Sequence, residues 1–300
     1  MAERITPLVR GTAAVVALLA ALSVPARAAV AQARAPEAVT PAVTPAAPLA
    51  IGETFTIASR TLGEVRRINV YAPPGYVASR DLRLPVLYMP DGGLAEDFLH
   101  VAGLLQVLVG NGTMRPFLLV GIENTERRRD MTGPTDQAED RRIAPRVGGS
   151  AAFRRFVRDE LMPQVSARYR TTGERAVVGE SLAGLFVVET FLREPDLFDT
   201  YVAFDPSLWW NGARLVADAD ALLRARAASR KTLFLASSDE PELVTLTRRL
   251  ATVLQAGAFA GLTWRYVPMP EETHATIYHP AALRAFRLLF APAPAAGAAR

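Results

Sequence analysis

From Ile51 to Leu289, apolar runs of strand length alternate with helical patterns, and that alternation constrains the fold more than any other feature. The candidate strands are Arg67–Tyr71, Val86–Met89, Phe117–Ile122, Ala176–Gly179, Tyr201–Phe204, Thr232–Ala236 and Thr263–Val267. Most are apolar throughout, as strands covered on both faces must be. Helical patterns fall between and after them, at Glu96–Asn111, Ser150–Tyr169, Leu182–Arg193, Ala213–Ala227, Pro241–Ala256 and Pro280–Leu289. Repeated strand–helix alternation implies an α/β fold, a mostly parallel central sheet with helices on both faces. Ligands then gather beyond the carboxyl ends of the strands.

One strand end carries a distinctive sequence. Ala176-Val177-Val178-Gly179-Glu180-Ser181-Leu182-Ala183-Gly184-Leu185-Phe186 runs from a β-branched strand, through a serine flanked by small residues, into an apolar helical pattern. This order fits a nucleophile elbow, a tight turn that lifts one hydroxyl above a helix N-terminus. The pentapeptide G-x-S-x-[GA] alone is weak, since it arises by chance in roughly one chain in five of this length. Indeed Gly148-Gly149-Ser150-Ala151-Ala152 matches it too. No strand precedes that second copy, and an apolar helical face follows it (Phe153, Phe156, Val157, Leu161, Val165), so Ser150 reads as a helix N-cap. Ser181 reads as the nucleophile of a hydrolase or acyltransferase.

A serine nucleophile needs a base, and the chain has three histidines. In hydrolases of this architecture the order is nucleophile, acid, histidine. His100 precedes Ser181 and lies within a helical pattern, which suits a structural role. His274 lies in the loop Met269–Thr276, between the last strand and the last helix, and is the expected base. His279 reads as part of that helix's entry. For the acid, the loop after strand Thr232–Ala236 offers Glu240, ranked first, and Asp239; Asp205, after Tyr201–Phe204, is the third choice. The expected oxyanion donors are backbone N–H groups of Leu182 and of Gly93 in Asp91-Gly92-Gly93, directly after an early strand. Arg127 and Arg129 follow another strand end, where an arginine fork suits a carboxylate or catecholate, and Trp209–Trp210 offers an aromatic wall.

These motifs, taken in order, resemble the enterochelin-esterase-like "putative esterase" branch of the α/β-hydrolases over residues 52–290. The resemblance rests on Tyr88-Met89-Pro90-Asp91-Gly92, Val120-Gly121-Ile122, Asn124–Asp130, Gly179–Phe186, Asp205–Trp210 and Thr273–Thr276. It implies Ser181 and His274 as catalytic residues, and Gly93 and Leu182 as oxyanion donors. Many relatives have His in place of Glu180, Gly in place of Ala183 and Ser in place of Asp205. Glu180 thus adds a carboxylate beside the nucleophile, which would disfavour acidic substrates or raise the base's pKa. The expected activity is hydrolysis of a small ester, a siderophore-type lactone first, through an acyl-enzyme and without cofactor or metal. An acyltransferase would share every one of these residues, and a hydrolase-fold binding module that has lost catalysis is a third reading.

Composition bounds the rest. At 50% hydrophobic and 21% charged, the chain has ample core for one large domain, residues 51–290. Residues 1–33 read as a secretory signal peptide: Arg4 and Arg10, an apolar run from Gly11 to Pro25, then small residues suited to cleavage after Ala28 or Ala33. A Pro/Ala linker at 34–50 follows, and 291–300 repeats its composition as a disordered tail. With no cysteine, neither a disulfide nor a lipobox anchor is available. A periplasmic or secreted protein without a stable membrane anchor is expected. No basic stripe interleaved with aromatics points to nucleic acid.

Overall fold

The computed structural model describes residues 45–225 and 230–293. The expected signal peptide and most of the C-terminal tail lie outside the described residues. Residues 45–50 are exposed and without regular secondary structure. From Leu49 onward the described residues form one compact unit.

Eight strands make a single sheet: β1 (Glu53–Ser59), β2 (Glu64–Tyr71), β3 (Leu84–Pro90), β4 (Leu118–Ile122), β5 (Thr171–Glu180), β6 (Thr200–Phe204), β7 (Lys231–Ser237) and β8 (Leu262–Pro268). Their order across the sheet is β1-β2-β4-β3-β5-β6-β7-β8. Only β2 runs against its neighbours, being antiparallel to β1 and β4, while every other pairing is parallel. The helices are α1 (Pro74–Ala78), α2 (Phe98–Gly110), α3 (Arg127–Met131), α4 (Ala138–Ile143), α5 (Ser150–Phe156), α6 (Met162–Arg168), α7 (Leu182–Arg193), α8 (Trp210–Arg224), α9 (Pro241–Gly257) and α10 (Tyr278–Leu289).

The pleat explains why the central strands are apolar at every position. Along β3, Val86 and Tyr88 join a core with Phe153 and Phe156 of α5, Phe186 and Val187 of α7, and Leu250 of α9. Leu87 and Met89 point the other way, into a core with Val101 and Leu105 of α2 and Phe286 of α10. Successive side chains face opposite sides of a strand, so a sheet buried on both faces needs no polar alternation.

Several local expectations are corrected. Edge strand β1 lacks an apolar run because most of it faces solvent, leaving no burial signal in the sequence. The helical pattern at Ser150–Tyr169 is interrupted by one π-helical turn at Val157–Leu161. Pro163, in the first turn of α6, has no N–H to give and crowds the carbonyl four residues back, and the wider turn accommodates both. Ser150 is the first helical residue of α5 and not its cap: Gly149 holds the cap position, and the buried Ser150 Oγ has no partner. In the Glu123–Gly149 segment, where the sequence shows neither a strand nor a helical pattern, α3 and α4 form and are tied down. There the guanidinium of Arg66 and the carboxylate of Asp130 pair with both side chains fully buried. α8 opens with Asn211, Gly212 and Ala213 in left-handed conformation, a kink the helical period does not reveal.

Candidate active site

The turn after β5 is built as the sequence requires. Ser181 has φ 61° and ψ −121°, a conformation costly for a residue with a side chain, on the order of 1–3 kcal/mol. Its surroundings enforce it: Ser181 N–H donates to the Phe204 carbonyl (3.1 Å), and its own carbonyl accepts from Leu185 and Ser207 N–H. A Cβ on Gly179 would sit 2.7–2.8 Å from the backbone carbon and side chain of Ala183, so the strand must carry glycine there to let α7 turn back. The same reversal recurs at neighbouring strand ends. Asp91 after β3 has φ 57° and Asp205 after β6 has φ 40°.

These reversals bring three side chains into a line. His274 Nε2 lies 3.2 Å from Ser181 Oγ, and His274 Nδ1 lies 3.0 Å from Asp205 Oδ2. The tautomer follows from the network: Nδ1–H donates to the carboxylate, leaving the Nε2 lone pair to face the hydroxyl. Asp205 is wholly buried, and its other oxygen accepts the Ser238 backbone N–H at 2.7 Å. Its hydrogen bond raises the His274 pKa above the usual histidine range, against the effect of burial. A serine so placed can attack a carbonyl while the imidazole takes its proton.

The ranking of the acid is overturned in geometry. Glu240 is an exposed cap residue of α9 whose N–H bonds to Ser238 Oγ, and Asp239 is exposed with its N–H on the Glu272 carbonyl. Neither touches His274. Strand register explains the difference: Glu180 pairs with Phe204 across β5 and β6, so the next residues, Ser181 and Asp205, emerge at the same level. Glu240 lies three residues beyond the end of a strand one position further from β5.

Register also sets the first glycine loop beside the elbow. Tyr88 pairs with Val177 across β3 and β5, which brings Gly92 and Gly93 level with Ser181 and Leu182. Leu182 begins α7, so its N–H is one that a helix leaves without an internal partner. Gly93 N–H, by contrast, is engaged: it donates to Glu96 Oε2 at 2.7 Å. A carboxylate therefore occupies the donor expected to meet an oxyanion.

The expected substrate arginines are committed elsewhere. Arg127 forks onto Asp91 through Nε and Nη2, both at 2.7 Å. Arg129 spans Asp130 and Glu64, and its hydrogen bond is the largest effect that holds Glu64 down to about 2. Both arginines pin the loop after β4 in place of presenting a free fork. Trp210 is also structural, buried with its indole N–H donating to the Gly133 carbonyl at 2.8 Å. Trp209 keeps an exposed edge, two residues past Ser207, whose hydroxyl lies 3.5 Å from Ser181 Oγ. His100 and His279 pack against each other, ring centroids 5.5 Å apart, and neither contacts Ser181.

One acidic contact escaped the sequence reading, Glu96 on Gly93; Glu180 stands beside the base, as its place next to Ser181 suggested. Glu180 Oε1 lies 3.3 Å from His274 Nδ1. Glu180, Asp205 and His274 each offer a ligand atom within 4.8 Å of the others, a spacing a divalent cation could bridge. Nδ1 would first have to surrender its proton, because metal ligands bind deprotonated.

The sheet order, the crossovers and the elbow define an α/β-hydrolase. Residues 59–256 match the family described as "Putative esterase", and the chain belongs to that family. It is 34% identical over 147 residues to the ferri-bacillibactin esterase BesA of Bacillus subtilis, covering 42% of this chain and 49% of that one. It is 29% identical over 157 residues to the siderophore triacetylfusarinine C esterase of Aspergillus fumigatus, covering 49% of this chain and 52% of that protein. The chain thus spans about half the length of these curated relatives. Among solved structures, an IroE-like serine hydrolase from Shewanella oneidensis superposes with a TM-score of 0.73 at 30% identity, covering 80% of each chain. Among the described residues, no helix is long and apolar enough to cross a membrane.

Proposed function

We propose that this protein is an exported serine esterase that hydrolyses a small ester, of siderophore type, through an acyl-enzyme. The observation that carries the reading is the Ser181–His274–Asp205 line, with hydrogen-bond distances of 3.2 and 3.0 Å. Ser181 attacks the ester carbonyl, and His274 takes its proton at Nε2 and passes it to the leaving alkoxide. Asp205 holds the imidazole in the tautomer that leaves Nε2 free and stabilises the imidazolium. Water activated by the same nitrogen then cleaves the acyl-enzyme. His274 is 42% exposed, so water can reach the base, which supports hydrolysis over transfer to a second acceptor.

The oxyanion is held by Leu182 N–H at the start of α7 and by Gly93 N–H, once Glu96 has released it. The siderophore-type substrate is supported by the names of the curated relatives, a ferri-bacillibactin esterase and a siderophore triacetylfusarinine C esterase. Export is supported by the leader-like composition of the N-terminus.

Hydrolysis of p-nitrophenyl acetate and butyrate by residues 34–300, beside Ser181→Ala and His274→Ala, tests the reading. Turnover should vanish in both variants, and a fluorophosphonate should label Ser181 in the parent chain. Turnover that survives Ser181→Ala, or no label, would overturn it.

A further inference from the structure

Glu180 is the last residue of β5 and precedes the nucleophile, so the elbow itself fixes where its side chain stands. It is largely buried, and its Oε1 has no hydrogen-bond partner. That is costly for a carboxylate unless nearby charge compensates. The charged groups facing it are His274, Arg127, Asp205 and Asp97; His274 in turn is faced by Asp205, Glu180 and Glu240. Arg127 is already forked onto Asp91. The cation that Glu180 gains on demand is therefore His274, in the imidazolium state that exists while the serine proton is in transit.

Two carboxylates thus share one N–H. Asp205 Oδ2 accepts it at 3.0 Å, and Glu180 Oε1 waits 3.3 Å from the same nitrogen without accepting it. The Asp205 carboxylate is held by Ser238 N–H in a fully buried site, whereas Glu180 Oε1 is unattached. A small rotation of the imidazole or of Glu180 redirects Nδ1–H from one to the other.

We propose that Glu180 is a second positioning acid for His274, stabilising its imidazolium beside Asp205 and accepting Nδ1–H when Asp205 is absent. The inference rests on the serine esterase reading above. Burial pushes the Glu180 carboxyl up to about 7, opposed by His274 and Arg127, which places its ionisation in the range where a histidine base works.

The sign of the effect on rate is fixed. An ionised Glu180 favours protonated His274, so removing that charge lowers the pKa of the base. The acid limb of kcat/KM, which reports the free enzyme's base, then moves to lower pH.

The test is the pH profile of p-nitrophenyl butyrate hydrolysis, from about pH 5 to about pH 9. The chains compared are the parent, Glu180→Gln, Glu180→Asp, Asp205→Asn and the Glu180→Gln/Asp205→Asn double variant. Glu180→Gln should move the acid limb down, and Glu180→Asp, which keeps the charge, should restore it. Asp205→Asn should lose well under the about 10⁴-fold that the acid is worth where it has no substitute. Adding Glu180→Gln should bring out the full loss. An acid limb that stays in place in Glu180→Gln, or two losses that simply multiply in the double variant, would overturn the proposal. If Ser181→Ala fails to abolish turnover, the esterase reading itself falls and the inference with it; an unmoved limb in a Ser181-dependent enzyme sinks Glu180 alone.

Discussion

Asp205 and Ser181 are the first residues past two neighbouring parallel strands, and both reverse the chain with positive φ, 40° and 61°. Shared level and shared reversal let one imidazole, entering from the loop after β8, touch both.

That relationship predicts which acid matters. Asp205→Asn should lower kcat by at least about tenfold, more than 1.4 kcal/mol of barrier. Glu240→Gln should stay within about fivefold, because an exposed charge contributes at most about 1 kcal/mol. Steady-state kinetics on the two variants decide it; the reverse ranking would remove Asp205 from the relay.

The carboxylate on Gly93 N–H predicts a gain. Glu96→Ala frees a donor that is otherwise held at 2.7 Å. An increase in kcat is expected, bounded by the about 10²–10³-fold that one oxyanion donor is worth. A fall in kcat with KM unchanged would mean that Glu96 shapes the loop, through its contact with Asn124 N–H, and does not stopper the site.

Glu180 should tie stability to pH. Its carboxyl titrates at about 7 when folded, against an ordinary value of 4.5, so the folded chain holds a proton the unfolded chain has lost between those values. The contribution is present below about pH 4.5 and disappears as pH rises through 7. Glu180→Gln should therefore raise stability at pH 8 by on the order of 1–3 kcal/mol and change little at pH 4. Urea unfolding at the two pH values measures the difference; equal effects at both would count against a strained carboxylate.

The buried pair of Arg66 and Asp130 anchors the loop after β4. Arg66 also donates to Glu64, to Thr125 and to the Glu123 carbonyl, so removing Asp130 takes away its fully buried carboxylate and leaves the guanidinium with the partly exposed Glu64. Asp130→Ala should cost about 3–5 kcal/mol in chemical denaturation. A loss below about 1 kcal/mol would mean that water relieves the charge.

The sequence by itself determined a good deal. Strand–helix alternation set the parallel sheet, because continuous apolar runs only suit strands covered on both faces. Gly179, Ser181 and Ala183 set the elbow, because no larger side chain fits where α7 turns back over β5. Loop position singled out His274 among three histidines. These are local constraints, carried by residues a few positions apart.

What tertiary structure decided depends on register between strands that are distant in sequence. Asp205 reaches His274 where Glu240 does not, because β6 lies beside β5 and ends level with it, a fact no spacing along the chain encodes. Arg127 and Arg129 read as a free fork in sequence, yet their partners Asp91 and Glu64 come from the turn after β3 and from β2. Glu180 on His274 follows the same rule, whereas Glu96 on Gly93 closes within a single turn three residues long. Pairing of charges is decided by which strand ends the sheet sets side by side, and one residue of register separates a partner from a solvated side chain.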